Sequence, residues 1–392
     1  MTTSASVARP LRAATGALTT TIACSVPVFL VGGLAVQISA DLHFSPAGLG
    51  LAVSAYFGAT ALASVPAGAL VERYGSTVIA RYGIVLSVTS LLAVAALARS
   101  LWSLILILAL GAGANALGQL ASNTSLSQHV PVRRQGLSFG VKQAAIPVST
   151  LLAGAAVPLI ALTLGWRWAF VFAAVGAAAA LWLVPSDLDA TKRSTGRAGE
   201  RATSALVVIG LAATLAAAAA NALGTFLVDS AVERGIAPGP AGLALTMGSL
   251  VCVLARIGGG WQADLVPGRQ VGVIAGLLAT GAIGLALLAV PGTAALVVGV
   301  VLGFGLGWSW PGLMNFAVVR LHPQAPAAAT SITQTGVYAG GCIGPLALGA
   351  LAAAAGYPAM WTAAAAAMVS ASALMVVGSA MLRRHPATAT AT

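Results

Sequence analysis

The chain has 392 residues, 59% hydrophobic and only 7% charged, with a mean hydropathy of +0.96. A water-soluble domain carries about 25% charged residues, so a soluble enzyme or soluble binding module is excluded. The formal net charge of +11 invites a polyanion partner, but the charges fall between apolar runs of bilayer-spanning length, which excludes a nucleic-acid binder.

Cutting at charges and turn residues predicts twelve spans, at 15–40, 47–70, 78–98, 102–127, 137–162, 166–184, 204–229, 239–262, 270–290, 293–319, 326–352 and 358–382. Each approaches the roughly 20 apolar residues that a membrane helix needs. The runs are continuous and do not alternate with period two, so helices rather than a barrel are expected. The segment through Thr15 is short, polar and weakly basic, and no small-residue cleavage site follows the first apolar run. It reads as the start of a retained helix, not a removed signal peptide.

In chain order, the first span carries Phe29 and the second Tyr56, both candidate cavity-wall aromatics. The second runs into Gly68-Ala-Leu70-Val-Glu72-Arg73-Tyr-Gly75, with Arg81 beyond. Asn115, Gln119 and Asn123 recur at spacing four and line one face of the fourth span. Lys142 and Gln143 lie about six residues into the fifth. The polar stretch 185–203, rich in Asp, Arg and Lys, reads as a cytoplasmic linker between halves 1–184 and 204–392. The seventh span carries Asn221 and Thr225, the eighth Arg256, the tenth Trp308, Trp310 and Asn315, and the eleventh Gln334 and Tyr338.

The halves repeat at an offset of 192 residues: Asp41, Pro46, Gly68 and Glu72 are answered by Glu233, Pro238, Gly260 and Asp264. Late in each half the offset slips by one, so Gln143 and Gly165-Trp166 match Gln334 and Gly356-Tyr357. Six spans per half is an even number, so both halves insert with the same orientation around an axis along the membrane normal. With the N-terminus in the cytoplasm, only Arg99, Arg167 and Arg234 of the 19 basic residues fall outside, leaving 16 at the inner side. This bias puts both termini in the cytoplasm and the protein in a cell inner (plasma) membrane.

The segment Gly68 to Gly75 resembles the loop motif of the major facilitator superfamily, G-x-L-x-[DE]-R-x-G followed by basic residues. Gly260-Trp-Gln-Ala-Asp264 with Arg269 stands at the same place in the second half. Ser76-Thr77 replaces the family's usual basic pair, a departure that weakens the charge of the motif. The resemblance implies an all-α integral membrane fold of twelve transmembrane helices in two pseudo-symmetric six-helix bundles, moving a small molecule by alternating access as a monomer. It also implies that Gly68, Glu72, Arg73, Gly75, Arg81, Gly260, Asp264 and Arg269 form a conformational latch. There a carboxylate pairs with Arg and accepts amide hydrogens from a neighbouring helix N-terminus. Phe139-Gly140-Val-Lys142-Gln143 and Gly165-Trp166-Arg167-Trp168 resemble the cyanate-permease-like branch. Arg256 to Asp264 resembles the eighth helix of monocarboxylate and oxalate carriers, where an arginine contacts the substrate anion.

All eight acids fall at helix ends or in the linker, whereas Lys142 and Arg256 are embedded. An embedded cation without an embedded carboxylate points to an arriving anion that completes the charge. The competing readings are that both side chains snorkel to inner headgroups, or that Arg256 pairs with Asp264. The expected substrate site comprises Arg256, Lys142, Gln143, Asn115, Gln119, Asn221, Gln334, Tyr338, Trp308, Tyr56 and Phe29. Helix–helix bonding is the alternative for the amides, and packing for Trp308 and Trp310. Asn123 and Asn315, equivalent in the repeat, are expected to be structural. Trp166, Trp168, Tyr357 and Trp361 are assigned to an interfacial belt.

Cys24, Cys252 and Cys342 lie singly in apolar stretches and read as packing residues. The four histidines lack metal spacing, the glycines around Gly305 lack the Lys and strand of a phosphate loop, and no catalytic triad is placed. No metal, cofactor or nucleic-acid partner is expected; the partners are the bilayer and a small solute. The expected function is secondary transport of a small anion; the alternative is efflux of drugs or hydrophobic metabolites, with or without proton coupling.

Overall fold

The structure, a computed structural model, describes residues 3–185, 204–265, 270–321 and 326–384. All described regular structure is helical, as the hydrocarbon demands: a helix satisfies its own backbone polar groups where water is absent. The spans are α1 Leu11–Gly33, α2 Pro46–Tyr74, α3 Ser76–Leu97, α4 Leu101–His129, α5 Gln135–Ala161 and α6 Trp166–Leu183. In the second half they are α7 Ser204–Glu233, α8 Pro238–Leu265, α9 Gln270–Ala289 and α10 Thr293–Val318. The last apolar helix, Thr333–Leu382, has 50 residues. At ~1.5 Å per residue it would extend far beyond a ~30 Å hydrocarbon core. Gly356, with φ 80 and ψ 168, breaks it into α11 (333–355) and α12 (357–382), giving twelve crossings.

Local chemistry sets the ends. Pro46 starts α2 at the first turn, where its missing N–H costs nothing. Gly75 ends α2 with φ 84, a conformation that strains any residue with a Cβ, and α3 begins at the next residue. Ser100 and Ser103 form a reciprocal capping box at the start of α4. The first span differs from its expected limits: α1 ends at Gly33, and the chain continues past Leu34 as the separate helix Ala35–Leu42.

The halves meet along α2–α11, α5–α8 and α1–α7 through small residues that let backbones approach. Towards the outer ends, a Cβ on Gly32 would collide with the Gly224 carbonyl, and one on Gly50 with the Pro345 carbonyl. A Cβ on Gly154 would lie 2.5 Å from the Gly242 carbonyl oxygen. At the inner end of α5–α8, a Cβ on Gly260 would lie 2.6 Å from the Gly136 carbonyl oxygen. The inner end of α2 differs: the same test at Gly68 meets nothing within 4 Å. Outward faces carry exposed Leu62, Leu110, Leu159 and Trp182, the surface that a bilayer covers.

Of the four residues assigned to an interfacial belt, Trp168 is exposed and the other three are not. Trp166, Tyr357 and Trp361 are buried and tie helix ends together inside each lobe. Trp166 Nε1 donates to Asp41 at 3.2 Å, Tyr357 Oη to Asp229, and Trp361 Nε1 to Ser230 Oγ at 3.3 Å. A polar tip near a span end finds a protein partner here before it finds a headgroup. Cys24 and Cys252 are buried and Cys342 half-buried, all three as free thiols.

Candidate functional site

Lys142 and Arg256 do not reach lipid phosphates. They are 1% and 3% exposed, on α5 and α8, on the seam between the lobes. Lys142 Nζ donates to Gln119 Oε1 on α4, one turn from Asn115 on the same face. The carbonyl oxygen of the Asn115 side chain is buried without a partner among the described residues. An acceptor left so costs about 1–3 kcal/mol until a donor arrives.

Arg256 is held by main-chain carbonyls rather than by a carboxylate. Its Nε and Nη2 donate to the Trp308 carbonyl at 3.0 and 2.6 Å, and its Nη1 donates to the Gln143 carbonyl. Breaks in the helices make both acceptors available. Gln143 lies four residues before Pro147, which has no N–H to return to that carbonyl. Trp308 follows the π-helical segment Gly303–Gly307 and sits outside the helix with φ −115 and ψ 7. The competing reading, in which Arg256 pairs with Asp264, is not what the structure shows: the guanidinium donates to these carbonyls instead.

The Trp308 ring packs edge-on to Phe29 with centroids 5.9 Å apart, and lies 5.5 Å from Phe304. The Arg256 guanidinium stands 5.8 Å from the Trp308 ring centre. Thr150 on α5 and Ser249 on α8 share a buried hydrogen bond of 2.6 Å. Arg256, Gln143, Lys142, Gln119, Trp308 and Phe29 therefore form one constellation. A second group lies on α2–α11: Tyr338 is buried there, and the fully buried Tyr56 donates to the Cys24 carbonyl at 3.0 Å. Asn221 turns back on its own helix, donating to the Ala217 carbonyl at 2.8 Å. Sequence reasoning missed Pro147, the Thr150–Ser249 bridge and the Gln143 main chain. The Gln-x-x-x-Pro spacing was the one signal for the last.

The motif residues behave differently in the two halves. Asp264 accepts from the Gly136 and Leu137 amides at 2.9 Å each, capping α5 across the seam. These are the amide hydrogens of a neighbouring helix N-terminus that the motif implied; among the described residues no arginine pairs with Asp264. Glu72, Arg73 and Arg81 are exposed and form no ion pair with a described residue. Arg73 lies over the Tyr74 ring at 5.2 Å. Arg269 and most of the linker expected at 185–203 lie outside the described residues.

A duplicated bundle of twelve membrane helices with buried cations on the seam between its halves is the architecture of a secondary transporter. The Major Facilitator Superfamily family model matches residues 17–209 and again residues 209–391, and the chain belongs to that superfamily, whose members are transporters. The crystal structure of the human organic anion transporter MFSD10 (TETRAN) is similar, with a TM-score of 0.68 and 16% identity. The match covers 93% of this chain and 99% of that one, and at this identity it shows the fold alone. Comparison with curated proteins gives no match.

Proposed function

We propose that the protein carries a small organic anion across a cell inner (plasma) membrane, as a monomer, with lobes 1–184 and 204–392 rocking about a linker at 185–203. The observation that supports this reading is the pair Lys142 and Arg256, buried on facing helices with no carboxylate hydrogen-bonded to either among the described residues. Arg256 spends its donors on carbonyl dipoles, which a charged oxygen outbids: hydrogen bonds to charged groups are worth roughly twice neutral ones. An entering carboxylate would take Nη1 from the Gln143 carbonyl, and this exchange would detach α8 from α5. Substrate binding and release of the seam then become one event. Phe29 and Trp308 beside the guanidinium favour a guest with an apolar body. The organic anion transporter named above has the same fold, which agrees with this reading. The likeness of Phe139 to Gln143 to the cyanate-permease-like branch remains part of the proposal.

Uptake into proteoliposomes tests it. The protein should show saturable, counter-flow-stimulated flux of a small carboxylate. Arg256→Gln should lower that flux by about 10–100-fold, the value of a lost charge-assisted bond. Carboxylate flux that Arg256→Gln leaves unchanged, or flux of hydrophobic cations only, would hand the protein to the efflux alternative.

A further inference from the structure

A crevice lies away from the seam, at the inner end of the N-terminal lobe, where α1, α3 and α4 converge on the end of α6. It is an open crevice rather than an enclosed cavity, about 250 Å³ of empty space counting the solvent at its mouth, so a ligand there sits at the opening. Thr20, Ser76, Thr77, Ser122 and Ser125 line it with hydroxyls, and none of its lining residues is acidic. Two of these hydroxyls are already engaged: Thr77 donates to the Pro185 carbonyl at 3.2 Å and Ser122 to the Ala17 carbonyl at 3.2 Å.

The other three are not. Thr20, Ser76 and Ser125 are 2%, 8% and 9% exposed, and none of their hydroxyls has a hydrogen-bond partner among the described residues. The second observation concerns α3. Its N-cap is Gly75, which has no side chain to fold back on the first turn, and no acidic residue stands in that turn. The N–H groups of Ser76, Thr77 and Val78 are thus left without the acceptor that a helix N-terminus normally recruits. A 22-residue helix also brings the positive end of its dipole to the same spot.

We infer that this crevice binds a phosphate group, held by the first-turn amides of α3 and by the hydroxyls of Ser76, Ser125 and Thr20. Helix amides and Ser/Thr hydroxyls together are donors suited to a tetrahedral oxyanion. The crevice faces the basic side of the membrane, where both phospholipid headgroups and free phosphate are available. The site is independent of the transported anion and of Arg256.

The experiment measures thermal stabilisation of the full-length protein in two arms: inorganic phosphate in detergent, and phosphatidylglycerol against an uncharged, phosphate-free glycolipid in nanodiscs. Three variants accompany the wild type. Ser125→Ala removes one hydroxyl. Ser76→Asp puts a carboxylate in the first turn of α3, which suits the helix and repels the ligand. Arg256→Gln removes the transport-site cation. Wild type and Arg256→Gln should be stabilised equally, Ser125→Ala should bind about tenfold more weakly, and Ser76→Asp should lose the response while folding normally. A response in the lipid arm alone identifies a headgroup as the source; a response to inorganic phosphate identifies the free ion. No stabilisation in either arm, or a response that Ser76→Asp retains, overturns the assignment. So does one that only Arg256→Gln removes.

Discussion

Arg256 on α8 donates through Nη1 to the main-chain carbonyl of Gln143 on α5, so one guanidinium ties the two lobes together in the membrane interior. The bond exists because a proline further along α5 left that carbonyl free. Stability and transport both turn on how easily it is exchanged.

Pro147→Ala tests that dependence without touching a charged residue. The introduced alanine would supply the N–H that the Gln143 carbonyl lacks, and the helix would compete with Arg256 for it. Loss of about 1 kcal/mol from the seam raises the separated population by about fivefold. Cys252 is fully buried beside this bond, its thiol 3.6 Å from the Trp308 carbonyl. Alkylation at Cys252, followed by peptide mass spectrometry, should be several times faster in the variant. Equal rates would show that the carbonyl is not the tie.

Asp264→Ala and Glu72→Ala should differ, although the two residues are equivalent in the repeat. Asp264 caps α5 through two amides, and a lost cap costs about 0.5–2 kcal/mol. Glu72 is exposed and engages no described residue. Spin-label distances between the inner ends of α5 and α8 should lengthen in the Asp264 variant alone.

Gly50→Ala should prevent the outer ends of α2 and α11 from closing, because the added Cβ collides with the Pro345 carbonyl. Overpacking of this kind costs about 1–3 kcal/mol, enough to shift the conformational balance about 5–150-fold towards the outward-open side. Substrate binding from that side should persist while turnover falls. Unchanged turnover would mean that this contact is not a gate.

Asp41 and Arg167 pair at 2.6 Å at the outer end. The hydrogen bond from Arg167 holds the Asp41 carboxyl below its ordinary value. A carboxyl lowered on folding adds stability that is complete above its unfolded pKa and is lost as pH falls through the lower folded one. Wild type should therefore lose its advantage over Asp41→Asn only in acid, across and below the ordinary carboxylate range. The effect is small because both side chains are partly exposed. Parallel melting curves from neutral to acid pH would expose any disagreement.

Much of the architecture was legible because it is local or repetitive. Apolar length located the helices, the basic residues ranked the two sides, and the 192-residue echo from Asp41–Glu72 to Glu233–Asp264 announced two like lobes. Lys142 and Arg256 could be singled out because an embedded charge is costly wherever it lies. The tips of Trp166, Tyr357 and Trp361 were misread, since sequence position near a span end cannot tell a headgroup from a neighbouring helix. Glu72 and Asp264 looked interchangeable, yet among the described residues only Asp264 finds partners.

By itself, then, the sequence determined a duplicated membrane bundle with two cations inside it, because partition between water and hydrocarbon acts on each segment separately. Only the tertiary structure decided what those cations touch. Their partners are Gln119 and two carbonyls, freed by Pro147 and by the π-helical segment before Trp308. Such partners depend on where helix breaks in different lobes come into register, and that is a property of packing, absent from composition or periodicity.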